Sequence, residues 1–164
     1  MAISATQALW FLPFVLPICL YVAYTDLAEM RITNPSVLLL AGIFVVLGIF
    51  LLPFNEYLWR LAALVVVLVV GIILNAAGAL GAGDAKFAAA AAPYIALGDL
   101  LFLLTLLMGV MLSSVCVHRV FKHTRLRDLA PHWKSWQQKT KFPMGLALGP
   151  TLAIYLLIGA LQGA

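Results

Sequence analysis

Two carboxylates, Asp26 and Asp84, border long apolar runs in this 164-residue chain. Acids at membrane depth are costly, and those that persist there usually serve function. Asp84 is set in Gly81-Ala82-Gly83-Asp84-Ala85-Lys86, and Asp26 lies two membrane-crossing lengths upstream. Two crossings return a chain to the side it left, so both acids can meet at one face. Hydrolysing a peptide without a metal or a covalent nucleophile needs one carboxylate to deprotonate a water. A partner must then protonate the carbonyl and later the leaving amine. Two neighbouring carboxylates can supply both roles, because they share a proton more readily than both ionise. A low dielectric raises the apparent pKa values of such a pair further.

Each acid also has a plainer reading. Asp26 opens the segment that runs to Asn34-Pro35, a turn and helix-start signal, and taken alone it is an interfacial carboxylate ending the first span. Gly81 and Gly83 permit backbone conformations that other residues resist, so they interrupt the third span and leave Asp84 positioned but adjustable. Irregular backbone at that depth survives only inside protein or along a wet cavity. The plainer reading there is a Gly-rich turn with an incidental acid. Lys86 either moderates the pair's charge or snorkels to lipid headgroups, the second being favoured.

No other constellation competes. His118, His123 and His132 are spaced five and nine apart, which fits no usual zinc motif, and read as loop histidines facing water. Thr105, Ser113 and Ser114 fall within an apolar span without a paired base and read as interhelical hydrogen-bonding residues. Cys19 and Cys116 stand alone in apolar segments and read as free core thiols. No metal or other cofactor is expected.

The elements that position the acids follow from composition. The chain is 65% hydrophobic and 10% charged, with a mean hydropathy of +1.09, which excludes a soluble domain with a charged surface. A helix needs roughly 20 mostly apolar residues to cross the hydrocarbon core. Six candidate spans result, at 8–25, 36–53, 60–80, 86–97, 100–118 and 143–161, forming an all-α membrane bundle in a single domain, residues 1–164. The fourth is short and Ala-rich, with small side chains that let neighbours approach. The first reads as a retained helix, because no Lys or Arg precedes it as a signal peptide would require. No repeat is evident, nor the inverted halves of a transporter.

Orientation follows from Lys and Arg near the span ends. With the segment after the first span cytoplasmic, that side holds Arg31, Lys86, Arg119, Lys122, Arg125, Arg127, Lys134, Lys139 and Lys141, and the other side only Arg60. Both chain ends are then extracytoplasmic, and Asp26 and Asp84 face the cytoplasm. The long polar connection, 118–141, mixes bases with Trp133 and Trp136 and suits the lipid headgroup layer. A nucleic-acid partner is disfavoured, since a basic cytoplasmic loop is the ordinary orientation signal of a membrane protein.

Three stretches together resemble a known family. Asp26 through Pro35 is similar to the first catalytic segment of type IV prepilin peptidases, and Gly81 to Lys86 matches their GxGDxK segment. Phe142-Pro143-Met144-Gly145-Leu146-Ala147-Leu148-Gly149 resembles the start of their last helix. The similarity extends from about residue 10 to 160. It implies that Asp26 and Asp84 form a catalytic dyad, with neither acid assigned as base, and that Gly81 and Gly83 shape the second acid's segment. Thr33 stands where many members have Pro before the Asn, a departure that affects a turn more than the chemistry.

The resemblance implies an aspartyl endopeptidase of the bacterial inner membrane. Its substrate would be a prepilin or pseudopilin, cut after a basic leader at the cytoplasmic boundary of the substrate's hydrophobic helix. The size resembles the short peptidases of Flp-type tight-adherence pili. The paired-cysteine domain of larger members is missing, so peptidase activity without N-methyltransferase activity is expected. The glycines beside Asp84 admit a resting arrangement with the carboxylates apart. Two alternatives carry less: a presenilin-like protease sharing GxGD, and a non-enzymatic transporter or assembly factor.

Overall fold

The computed structural model describes residues 1–124, 128, 130–138 and 142–163. Arg125, Arg127, Lys139 and Lys141 of the basic connection lie outside the described residues. Six α-helices follow in order: α1 (Ala5–Glu29), α2 (Asn34–Leu51), α3 (Phe54–Ala76), α4 (Ala82–Ala91), α5 (Leu100–His123) and α6 (Gly145–Gln162). No strand occurs among the described residues. Five of the helices, all but α4, are long and apolar enough to cross a membrane. The chain is a multi-pass helical membrane protein.

The expected fourth span, 86–97, is corrected by the structure. The alanine run is helical, but α4 ends at Ala91 and passes into tight 3-10 turns at Ala92–Tyr94 and Leu97–Asp99. Pro93 cannot donate a backbone hydrogen bond, so the helix gives way there. Ten residues rise only about 15 Å, half of a hydrocarbon core. The expected third span, 60–80, lies earlier, because Pro53 caps α3 and Glu56 occupies its first turn. Arg60 is therefore inside the helix, buried, with Nη2 on Glu56 Oε1 at 2.6 Å and Nη1 donating to the Pro93 carbonyl at 3.3 Å.

Close packing centres on α1 against α6. A Cβ on Gly149 would lie 2.6 Å from the Cys19 carbonyl oxygen, so the two backbones touch where only glycine fits. Between α3 and α4, a Cβ on Gly71 would lie 2.9 Å from Ala85 Cβ. The middle of the bundle holds an aromatic group. Phe44 stacks on Phe11 and on Tyr57, with Tyr94 edge-on to both phenylalanines. The Tyr94 hydroxyl donates to the Leu40 carbonyl at 2.7 Å, which satisfies its polar end.

The bundle has two distinct ends. At one, Asp99 accepts hydrogen bonds from the N–H groups of Ala2 and Ile3 at 2.7 and 3.0 Å and from the Tyr155 hydroxyl at 3.0 Å. Gly163, past the end of α6, lies against Ile3 there. Both chain ends therefore share one side, and the acids of interest lie at the other.

Candidate active site

Asp26 sits on the last turn of α1 and is buried, with 5% of its surface exposed. The helix ends four residues later, where Met30 adopts a left-handed φ of 56° and its N–H closes on the Asp26 carbonyl at 2.9 Å. That turn sends Arg31 and Ile32 toward α2. There Ser36 Oγ donates to the Thr33 carbonyl at 2.8 Å and Pro35 occupies the first turn, so the Asn34-Pro35 helix start is as the sequence indicates.

Asp84 sits on the first turn of α4, behind Gly81 at the N-cap. Gly83 is helical, and a Cβ there would press on Ile32 Cβ at 3.3 Å. The two glycines were expected to break the backbone around an adjustable acid. They instead let α4 start tightly against the α1–α2 connection, with the Asp84 carboxylate folded over Gly81, where a side chain would collide with it. The left-handed glycine of this hairpin is Gly78, three residues earlier.

Asp26 and Asp84 line one pocket of about 320 Å³, walled by Met30, Arg31, Ile32, Asn34, Gly81, Ala82, Gly83 and Lys86. Asp84 lies outside the five membrane-long helices. Burial pushes its carboxyl up to about 6, the Asp26 charge adds to the rise, and the Gly81 N–H works against it. Lys86 pairs with neither acid. Its Nζ donates to Asn34 Oδ1 at 3.1 Å, tying the start of α4 to the start of α2.

A third contributor carried no assigned role in the sequence reading. Gly145, the first residue of α6, donates its backbone N–H to Asp26 Oδ2 at 2.6 Å across 119 residues of sequence. A Cβ there would stand 2.9 Å from Asp26 Cβ and 3.0 Å from Oδ2, so the carboxylate fits only over a glycine. The signal was present as Pro143 and Gly145 at the start of an apolar run, a helix-start pattern. What it could not reveal is which residue the new N–H would face. Among the described residues no group of three or more His, Cys, Asp or Glu could hold a metal.

Several expected placements are corrected. His118 is not a loop histidine in water: α5 continues to His123, and His118 is buried, stacked on Trp136 at 4.9 Å and edge-on to Phe142 at 5.8 Å. Trp136 is likewise buried rather than lying in headgroups, with Nε1 donating to the Ala130 carbonyl at 2.9 Å. His123 and His132 are exposed. Ser114 bridges α5 to the Leu146 carbonyl, but Ser113 and Thr105 bond carbonyls of their own helix. Cys19 is a buried thiol as expected, whereas Cys116 lies on the exposed face of α5.

The model of the type IV leader peptidase family matches residues 13–117, well over half of the chain and including both acids. No curated protein and no solved structure matches the chain. A helical membrane bundle agrees with that match in architecture. The chain belongs to the type IV leader peptidase family.

Proposed function

We propose that this peptidase is an aspartyl enzyme of the bacterial inner membrane. It removes the basic leader from a prepilin or pseudopilin at the cytoplasmic boundary of the substrate's hydrophobic helix, with Asp26 and Asp84 as its acid–base pair. The observation that carries this reading is the shared pocket: two acids far apart in sequence, one buried and one half-buried, line a single cavity. Between them they supply the proton acceptor and the proton donor that amide hydrolysis requires, and the raised Asp84 carboxyl keeps its proton up to about pH 6.

The position of the pocket favours a cut at the membrane boundary. It lies at the end of α1 and the start of α4, not midway along any membrane-long helix. An apolar substrate segment can stay in lipid while the scissile bond reaches water. The excess of bases near this end supports a cytoplasmic location. Flp-type prepilins are the substrates proposed. Methyl transfer is not part of the proposal, since the two cysteines lie on separate helices as a buried thiol and an exposed one.

The test uses the purified chain in detergent with a Flp-type prepilin. Mass mapping should place the cut between the basic leader and the hydrophobic segment and show an unmethylated new N-terminus. A cut inside the hydrophobic segment, or no cut at all, would sink the proposal.

A further inference from the structure

The pocket is built unevenly, and the unevenness bears on which acid does what. Asp26 is the more buried of the two and is held by a residue distant in sequence, the N–H of Gly145 at 2.6 Å. That distance is at the short end for an N–H to a carboxylate oxygen, where charge-assisted bonds lie. The donor is the first residue of α6, 18 residues long, whose unpaired N–H groups and dipole favour negative charge. Asp26 Oδ1 accepts no hydrogen bond among the described residues, and Asp26 lines the pocket. Asp84 is half-buried at the first turn of a ten-residue helix, with only the Gly81 N–H of its own turn beside it.

We infer that Gly145 is a positioning residue: its N–H pins Asp26 Oδ2 in the carboxylate form, so that Asp26 acts as the general base through Oδ1 and Asp84 carries the proton as the general acid. The inference rests on the reading of the two acids as the hydrolytic pair and adds the division of labour within it. The charged and titratable groups facing Asp26 are few. Asp84 and Lys86 come from α4, Arg31 from the α1–α2 connection, and Lys134 is exposed on the turn that packs against α1. The first turn of α6 brings no acidic residue. Gly145 is therefore the specific donor that distinguishes Asp26 from its partner.

The reaction balances on these two groups. The Asp26 carboxylate removes a proton from water as the water oxygen bonds to the scissile carbonyl carbon. Asp84 gives its proton to the carbonyl oxygen, forming a tetrahedral diol. Asp26, and not the acid partner as the sequence alone suggested, then returns its proton to the amide nitrogen and the C–N bond breaks. A diol hydroxyl passes its proton back to Asp84, leaving the new acid, the free amine and both side chains as they began.

The experiment compares carboxyl titrations and pH–rate profiles of the full-length protein in detergent. With aspartate carboxyls labelled with carbon-13, Asp26 in an Asp84→Asn protein should ionise at lower pH than Asp84 does in an Asp26→Asn protein. The reverse order overturns the assignment. Gly145→Ala keeps the N–H, but its Cβ would meet Asp26 Oδ2 at 3.0 Å and push the carboxylate off it; cleavage of a leader-containing prepilin peptide should then show its acid limb moved up by about one pH unit, with the alkaline limb in place. A uniform fall in rate with both limbs unmoved assigns Gly145 a merely structural part and also overturns the inference. The two single Asn proteins separate the premises: cleavage retained by either removes the acid pair itself, whatever the titration order.

Discussion

Asp26 and Asp99 are both 5% exposed, yet the molecule surrounds them in opposite ways. Asp99 is filled with donors, two backbone N–H groups and a tyrosine hydroxyl, and it clasps the start of the chain to α6. Asp26 receives one N–H and opens on a polar pocket beside a second acid. Desolvating a carboxylate is costly at either end. Where the lone pairs are taken, the charge serves as a fastener. Where acceptor capacity is left over next to a like charge, the arrangement suits proton transfer. Burial alone therefore does not separate a structural acid from a reactive one; the count and source of donors does.

The largest effect expected sets these acids directly against each other. Asp26→Asn or Asp84→Asn should lower prepilin cleavage by about 10²–10⁴-fold while the protein still inserts. Asp99→Asn should leave the activity of the folded protein intact and lower its stability by about 1–3 kcal/mol, because an amide nitrogen would face N–H donors. Cleavage assays alongside unfolding in mixed micelles read both. A stable but inactive Asp99→Asn would erase the contrast.

Next in size is pH. An Asp84 carboxyl raised to about 6 keeps its proton below that value and loses it above. Cleavage should therefore decline on the alkaline side of about pH 6, approaching tenfold per unit once the limb is reached. A rate profile flat through that value would show that this proton is not used. The contact joining the two ends can be probed at Gly149. Valine there must displace the Cys19 carbonyl, and a loss of about 1–3 kcal/mol in unfolding is expected; an unchanged midpoint would mean that α1 and α6 are not in backbone contact. The smallest change is Lys86→Ala. Losing an exposed hydrogen bond to Asn34 should cost about 0.5–1.5 kcal/mol and reduce the rate by less than about tenfold. A loss as deep as that of the Asp variants would move Lys86 from bracing to chemistry.

Asp26 and Asp84 were legible in the sequence because a carboxylate in an apolar context is rare enough to need a reason. Counting crossings then placed them at one face. The helix-start signal at Asn34-Pro35 also carried over into the fold. What could not be read was partnership through the backbone: the N–H of Gly145 belongs to no side chain, and its target lies 119 residues away. The glycines near Asp84 misled for a related reason, since glycine signals equally a flexible turn and a close approach, and α4 uses the second. His118 was misplaced because α5 runs beyond the apolar stretch that announced it, carrying a polar residue into contact with Trp136. Asp99 drew no functional reading from the sequence, because its donors come from the first residues of the chain.

Met30 has a bearing on how this peptidase could be altered. Its left-handed backbone, φ 56°, is a conformation that glycine adopts at about 1 kcal/mol lower cost, so Met30→Gly is a route to a more heat-resistant protein. The same side chain is a wall of the pocket. Thermal hardening and the shape of the pocket are thus set against each other at a single codon, four residues beyond one of the acids.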